Sequence, residues 1–99
     1  MSSSTVVVVA HVYCRADQME NILSVLRTLT AATRTEPGCI KYDLHQDLSD
    51  EKHLTFIEEW ENEEALKLHF RTEHFKHGNE QIQAASAKPV EIFKYKKLL

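Results

Sequence analysis

The chain has little of the residue types that interrupt or cross-link a fold. Its 99 residues include two glycines, two prolines and two cysteines. With only Gly38 and Gly78, the chain has no GxGxxG phosphate loop, so a nicotinamide or flavin cofactor bound by a Rossmann turn is excluded. Cys14 and Cys39 lack CxxC spacing, which disfavours a disulfide framework or a thiolate metal site. We expect buried free thiols, no cofactor and no metal.

Clustered positive charge and long apolar runs are also missing. Twelve Lys and Arg residues against 15 Asp and Glu residues give a formal net charge of -3. No basic stretch with interleaved aromatics occurs, so nucleic acid is not an expected partner. The segment Met1–Thr5 has no Lys or Arg, and the apolar run Val6–Ala10 is far shorter than the about 20 residues of a membrane span. We expect a cytoplasmic protein with no membrane partner.

Alternating and helical apolar spacings predict the secondary structure. A β-branched run predicts a strand over residues 5–14, buried on both faces, and two-residue alternation predicts strands over 39–47, 53–60 and 90–98. Helical spacing predicts a first helix over 17–35, ended by Glu36-Pro37-Gly38. Asn62 and Thr72 are N-caps for a helix that breaks near Arg71 and a further helix over 73–87.

This element order predicts the architecture. One domain over residues 1–99 with the order βαββαβ is an α+β, ferredoxin-like fold, in which both helices cover one face of an antiparallel four-stranded sheet. The other face then carries Val7, Val9, Tyr13, Thr55 and Ile57 by strand parity. Because this face is apolar, we expect it to pack against a second copy of the chain in a homodimer. His11, His45 and Glu59 share this face by parity.

Several segments together resemble the antibiotic biosynthesis monooxygenase (ABM) domain family. They are Glu36-Pro37-Gly38-Cys39 before the second strand, Glu58-Glu59-Trp60 at the end of the third, Glu64-Ala65-Leu66 with His69 on the next helix, and the turn His74-Phe75. The resemblance implies a dimeric α/β barrel with a pocket in each subunit between helices and sheet. The family includes cofactor-free oxygenases acting on phenols or quinols, haem-degrading enzymes and an isomerase lineage.

The resemblance also implies candidate catalytic residues. His69 matches the family's helix histidine and could act as a general base, since an imidazole pKa of about 6.5 suits the deprotonation of an acidic phenol. A hydrogen-bonded structural histidine is the alternative. His74 is the second candidate base, or it caps backbone groups at the helix break. His77 follows His74 by one turn, but a histidine pair without a carboxylate is a weak metal signal.

Aromatic residues around these histidines are the candidate substrate-binding groups. We expect Trp60, Tyr42, Phe70 and Phe75 to wall the pocket, with core packing as the alternative for Trp60. The haem-degrading branch is disfavoured, because the chain has Val12, His69 and Asn79 where that branch has asparagine, tryptophan and the axial histidine.

The resulting prediction is a cofactor-independent monooxygenase that oxidises a small phenol- or quinol-type substrate with O₂. The alternatives are an isomerase or lyase acting on a small carbonyl compound, and a ligand-binding dimer without catalysis.

Overall fold

A four-stranded antiparallel sheet and three α-helices form the protein in the computed structural model, which describes residues 5–99. The elements are β1 (Val6–Tyr13), α1 (Met19–Thr33), β2 (Cys39–Asp47), β3 (Asp50–Trp60), α2 (Glu63–Phe70), α3 (Glu73–Ala85) and β4 (Glu91–Lys96). The strand order is β2-β3-β1-β4, which confirms the ferredoxin-like α+β fold. No helix within residues 5–99 is long and apolar enough to cross a membrane. Residues 1–4, which belong to the segment without Lys or Arg, lie outside the described residues.

Strand β1 lies in the middle of the sheet and shows a two-residue burial pattern. Val8, Ala10 and Val12 are buried against the helices, whereas the residues between them are half-buried. The helices cover only one face of the sheet, so the predicted burial of the other face depends on the expected second copy of the chain. Cys14 is buried and Cys39 half-buried, and both are free thiols.

The uncovered side of the sheet, here called the open face, carries an apolar patch. Val9 pairs with Ile57 of β3 and with Phe93 of β4, and Val7 pairs with Tyr95. Phe93 and Tyr95 are 45% and 52% exposed. Every residue of β4 is exposed, so this edge strand gains little burial from the single chain.

Helix α1 begins two residues later than predicted, because Ala16–Gln18 form a 3₁₀ turn ahead of it. Ile22, Leu26 and Leu29 recur at helical spacing and are buried in the core. After the helix, Gly38 adopts a φ of +89°, a conformation that only glycine adopts without strain. This turn places Glu36 and Pro37, the two residues before Gly38, next to α2.

The helix break near Arg71 follows from two N-caps, as predicted. The Asn62 side chain accepts a 2.8 Å hydrogen bond from the N–H of Ala65, which starts α2. The Thr72 hydroxyl accepts from the N–H of Phe75 at 3.2 Å and donates to the carbonyl of His69 at 2.8 Å. Thr72 therefore links the end of α2 to the start of α3 and fixes the relative position of their histidines.

Candidate active site

A small apolar cavity lies between the helix-covered face of the sheet and the helices. Its volume is about 30 Å³, which is room for one or two water molecules. Its polar lining consists of Tyr42 and Glu58 from the sheet and His69 and Asn79 from the helices. The remaining lining is hydrophobic: Val8, Ala10, Val12, Leu29, Phe56, Phe70, Phe75, Ile82, Val90 and Ile92. Polar groups in such a setting are strong candidates for chemistry.

Beside this cavity, one carboxylate oxygen joins two histidines. Oε2 of Glu36 lies 2.8 Å from Nδ1 of His69 and 2.6 Å from Nε2 of His74. The exposed fractions of the three side chains are 10% for Glu36, 1% for His69 and 28% for His74. Because an ionised carboxylate only accepts hydrogen bonds, each of these ring nitrogens carries the proton.

His69 is consequently fixed in one tautomer. Its Nδ1–H donates to Glu36, so Nε2 carries the lone pair, and Nε2 makes no hydrogen bond to any of residues 5–99. Burial lowers the pKa of His69 below its ordinary value of 6.5, although the hydrogen bond and charge of Glu36 act in the opposite direction. The imidazole is therefore neutral at pH 7 and can accept a proton from a group in the cavity.

A second acid–base group lines the same cavity. The Glu58 side chain is 5% exposed, and its Oε1 accepts a 2.9 Å hydrogen bond from the indole N–H of Trp60. Burial raises the pKa of Glu58 to about 7, while the hydrogen bond from Trp60 acts against this rise. Burial and the nearby charge of Glu58 raise the pKa of Tyr42, which stays a neutral phenol and a hydrogen-bond donor.

The predicted site residues divide into two groups. Tyr42, Phe70 and Phe75 line the cavity together with His69, and the rings of Phe70 and Phe75 lie 5.6 and 4.9 Å from its imidazole. Trp60 is completely buried behind the cavity lining, and its ring centroid lies 4.7 Å from that of His69. Trp60 therefore supports Glu58 and His69 from the core.

His74 lies on the other side of the cluster, outside the cavity. It borders a surface groove between α1 and α3, together with Thr28, His77 and Gln81. His77 is exposed and shares a 3.0 Å hydrogen bond with Gln81. The carboxylate partner of His74 is Glu36, which lies 38 positions earlier in the chain and is therefore not evident from the sequence.

Two acidic residues of the candidate site, Glu36 and Glu58, are not among the residues predicted from the sequence. The sequence places Glu36 in a helix terminator and in the family-like segment before the second strand, and its partners are too distant in sequence to suggest the contact. Glu58 did leave a signal, because an acidic residue between Phe56 and Trp60 on the inward parity of a strand is unusual. Acidic side chains are rarely buried without a partner or a functional reason.

The cluster of Glu36, His69 and His74 also has the ligand types of a divalent transition-metal site. The donor atoms all lie within 4.8 Å of one another. Both contacts, however, are made at hydrogen-bond distance to the same carboxylate oxygen. Two N–H donors and one carboxylate acceptor account for this geometry without an ion.

Fold and cavity together define a class of protein: a ferredoxin-like α+β domain with acid–base groups in an apolar cavity under its helices. The sequence profile of the antibiotic biosynthesis monooxygenase family matches residues 5–81, and the chain belongs to this family. A crystal structure of an antibiotic biosynthesis monooxygenase superposes with a TM-score of 0.91 at 32% identity, covering 95% of this chain and 99% of that one.

Two relatives extend the comparison. The uncharacterized protein sll1783 of Synechocystis sp. is 34% identical over 91 residues, which cover 92% of this chain and 62% of sll1783. The Bacillus subtilis protein named "Putative monooxygenase YcnE" is 31% identical over 70 residues, covering 71% of this chain and 74% of YcnE. The chain thus spans less than two thirds of the length of sll1783.

Proposed function

We propose that this protein is a cofactor-independent monooxygenase that oxidises a small phenol- or quinol-type substrate with O₂. Family membership and the name of YcnE support monooxygenase chemistry in general. The observation that carries the specific proposal is the state of His69, a buried neutral imidazole that borders an apolar cavity with one nitrogen free. Such a group is suited to remove a phenolic proton.

In the proposed reaction, Nε2 of His69 takes the hydroxyl proton of the substrate. Glu36 holds the ring through Nδ1 and stabilises the imidazolium that forms. The apolar walls exclude bulk water, so the phenolate is poorly solvated and more easily oxidised. Trp60 and Phe75, which pack on the imidazole, keep its orientation fixed.

The substrate itself supplies the electrons. A phenol reacting with O₂ yields a quinone and water, because one oxygen atom forms a bond to the ring carbon and the other leaves as water. The phenol gives up four electrons, and O₂ accepts all four. The hydroxyl and ring protons both end in the water molecule, so His69 can return its proton within the same turnover.

Substrate entry requires movement of the cavity wall, since about 30 Å³ is far less than an aromatic ring needs. Phe70 and Phe75 are half-buried, and their rings pack at a tilt with centroids 5.0 Å apart, at the junction of α2 and α3. Val90 and Ile92 line the cavity from the exposed edge of the sheet. In the proposed mechanism these side chains move aside for the substrate.

The test is oxygen uptake by purified, metal-free protein with a panel of reduced naphthoquinols and phenols, corrected for uncatalysed autoxidation. The His69→Asn variant keeps an N–H near the position of Nδ1 and removes the base. The control is His77→Asn, which loses an exposed histidine outside the cavity. Uptake that persists in the control and disappears in His69→Asn supports the proposal. No uptake across the panel, or normal uptake by His69→Asn, contradicts it.

One observation favours a second candidate, an isomerase or lyase acting on a small carbonyl compound. His69 and Glu58 both border the cavity, and a pair of acid–base groups can move a proton between two carbons without O₂. Deuterium exchange next to the carbonyl of a test ketone under nitrogen would reveal this activity. A ligand that raises the melting temperature without any turnover would instead indicate a binding protein.

The proposal includes a homodimer formed through the open face. Phe93 and Tyr95 extend its apolar surface beyond Val7, Val9 and Ile57, and a second copy would bury all five. Val9→Asp places a charge at the centre of this patch. Analytical ultracentrifugation should give a dimer for the wild-type chain and a monomer for the variant, whereas a monomeric wild type would exclude the dimer.

A further inference from the structure

Glu58 is a buried acidic residue without a part in the base chemistry of His69. None of the salt bridges among residues 5–99 includes it. Its cross-strand partners are Val8 on β1, which is apolar, and Tyr42 on β2, whose hydroxyl makes no hydrogen bond to Glu58. Phe56 and Trp60 flank it on the same face of β3. Placing a carboxyl group in such surroundings is unfavourable unless a partner compensates for lost hydration. The unfavourable burial of this carboxyl group therefore suggests that Glu58 has a function.

Only one of the two carboxyl oxygens of Glu58 is engaged by the protein. Oε1 accepts the hydrogen bond from Trp60, and Oε2 makes none within residues 5–99. The indole is completely buried, so it holds the carboxyl group in a fixed orientation beside the cavity. The second oxygen remains available to a hydrogen-bond donor that enters the cavity.

This available oxygen belongs to the same cavity as the free nitrogen of His69. Trp60 ties the two groups together, because it donates to Glu58 at 2.9 Å and packs on His69 at 4.7 Å between ring centroids. When Glu58 is ionised, the cavity therefore offers these two acceptors in a fixed relation, beside the polar side chains of Tyr42 and Asn79 and the hydrophobic walls. A ligand that satisfies both must carry two hydrogen-bond donors.

We propose that Glu58 is a specificity-determining residue that binds a second hydroxyl group of the substrate. The site then selects a dihydroxylated aromatic compound, a quinol, over the monophenol of the same ring system. This inference depends on the proposed function, in which His69 accepts the proton of the first hydroxyl group. A site built to hydrogen-bond a hydroxyl discriminates strongly against the analogue that lacks it, since the buried polar group is then left without a partner.

The test is equilibrium binding at pH 8, where Glu58 is mostly ionised, and under nitrogen, which prevents turnover. Dissociation constants are measured by fluorescence titration for 1,4-dihydroxynaphthalene and 1-naphthol. Variants are Glu58→Met, an apolar side chain of similar length, and Glu61→Met, an exposed control outside the cavity. We expect the wild type and the control to bind the diol at least about tenfold more tightly than the monophenol. Glu58→Met should lose this preference, with the affinity for 1-naphthol changed less than twofold.

A purely structural role would weaken the binding of both ligands equally in Glu58→Met, and this result would overturn the proposal. Equal wild-type affinities for the two ligands would overturn it as well. If circular dichroism shows that Glu58→Met is unfolded, Glu58→Gln replaces it. There the amide oxygen holds the indole N–H, and the NH₂ group can only donate to a substrate hydroxyl, so the stronger bond to a charged acceptor is lost and the preference for the diol should fall to a smaller value.

The binding test also separates this proposal from the monooxygenase proposal. A diol preference without any oxygen uptake contradicts the monooxygenase activity and retains the role of Glu58. Oxygen uptake with equal affinities for diol and monophenol contradicts the role of Glu58 and retains the activity.

Discussion

A Cβ atom placed on Gly38 would lie 2.6 Å from the Cβ of Ala65, so the turn before β2 touches the first turn of α2. The contact is reinforced by the N–H of Glu61, which donates to the carbonyl of Gly38 at 2.9 Å. Because Glu36 lies two residues before Gly38, this close approach sets the distance between the Glu36 carboxylate and the histidine of α2.

Gly38→Ala should therefore be clearly destabilising. Its φ of +89° disfavours any side chain, and the added methyl group meets Ala65. We expect a loss of about 1–3 kcal/mol in the free energy of unfolding, measured with urea at pH 7. The matched control is Gly78→Ala within α3, where the new Cβ would lie 3.4 Å from Leu29. A helical alanine there should change stability by less than about 1 kcal/mol. Equal losses in both variants would contradict this account.

A second prediction concerns the effect of Glu36 on His69. The hydrogen bond and charge of Glu36 raise the pKa of His69 against the stronger effect of burial. Glu36→Gln removes the charge, so the pKa of His69 should fall further below 6.5. Nitrogen-15 NMR of the ring measures this value and the Nδ1–H tautomer. Glu64→Gln, which neutralises an exposed acid on α2, is the control and should leave the pKa of His69 unchanged.

The lowered pKa of His69 also makes the free energy of unfolding depend on pH. A histidine whose folded pKa lies below its unfolded value contributes stability above the unfolded pKa and loses it as pH falls through the folded one. His69 should thus destabilise the protein below about pH 6.5, and in Glu36→Gln the loss should extend to lower pH. A rise in the pKa of His69 in Glu36→Gln would contradict both statements.

How much the sequence could predict follows from the range of the interactions involved. Local signals were sufficient for the caps at Asn62 and Thr72, which act within three residues, and for the inward parity of β1. The early 3₁₀ turn at Ala16–Gln18 was missed, because the competition between 3₁₀ and α-helical first turns is decided by small energy differences.

The candidate site was predicted only as far as its single-residue signals reach. His69, Tyr42, Phe70 and Phe75 do line one cavity. The role of Glu36 depends on a tertiary contact across 33 sequence positions, which no periodicity reveals. Whether Trp60 faces the cavity or lies behind it depends on side-chain packing between Glu58 and His69. Strand parity places Trp60 on the inward face in either case.

A third prediction concerns access to the cavity. Phe75 packs on His69 and Phe70, and it is only half-buried, so Phe75→Ala should enlarge the cavity at a cost of about 2 kcal/mol. We expect the stabilisation by saturating 1-naphthol, read as a melting-temperature shift, to increase relative to the wild type. Leu68→Ala, which shortens an exposed side chain outside the cavity, is the control. An unchanged shift in Phe75→Ala would mean that this ring does not restrict entry.

The fourth prediction follows from the pKa of about 7 that burial gives Glu58, against 4.5 for an ordinary glutamic acid. The unfolded chain ionises at lower pH than the folded one, so stability from the protonated group is complete below about pH 4.5 and decreases as pH rises toward 7. Between pH 5 and pH 8 the loss should amount to about 2 kcal/mol.

Glu58→Gln isolates this effect, because the amide keeps the shape of the side chain and an acceptor for Trp60 but does not titrate. The free energy of unfolding, wild type minus variant, should decrease by about 2 kcal/mol between pH 5 and pH 8. Subtracting the variant cancels the opposing contribution of His69, which is present in both proteins. A difference independent of pH would show that the carboxyl group is hydrated and ionised in the folded protein. Its second oxygen would then already be satisfied by water, and binding a substrate hydroxyl would gain little.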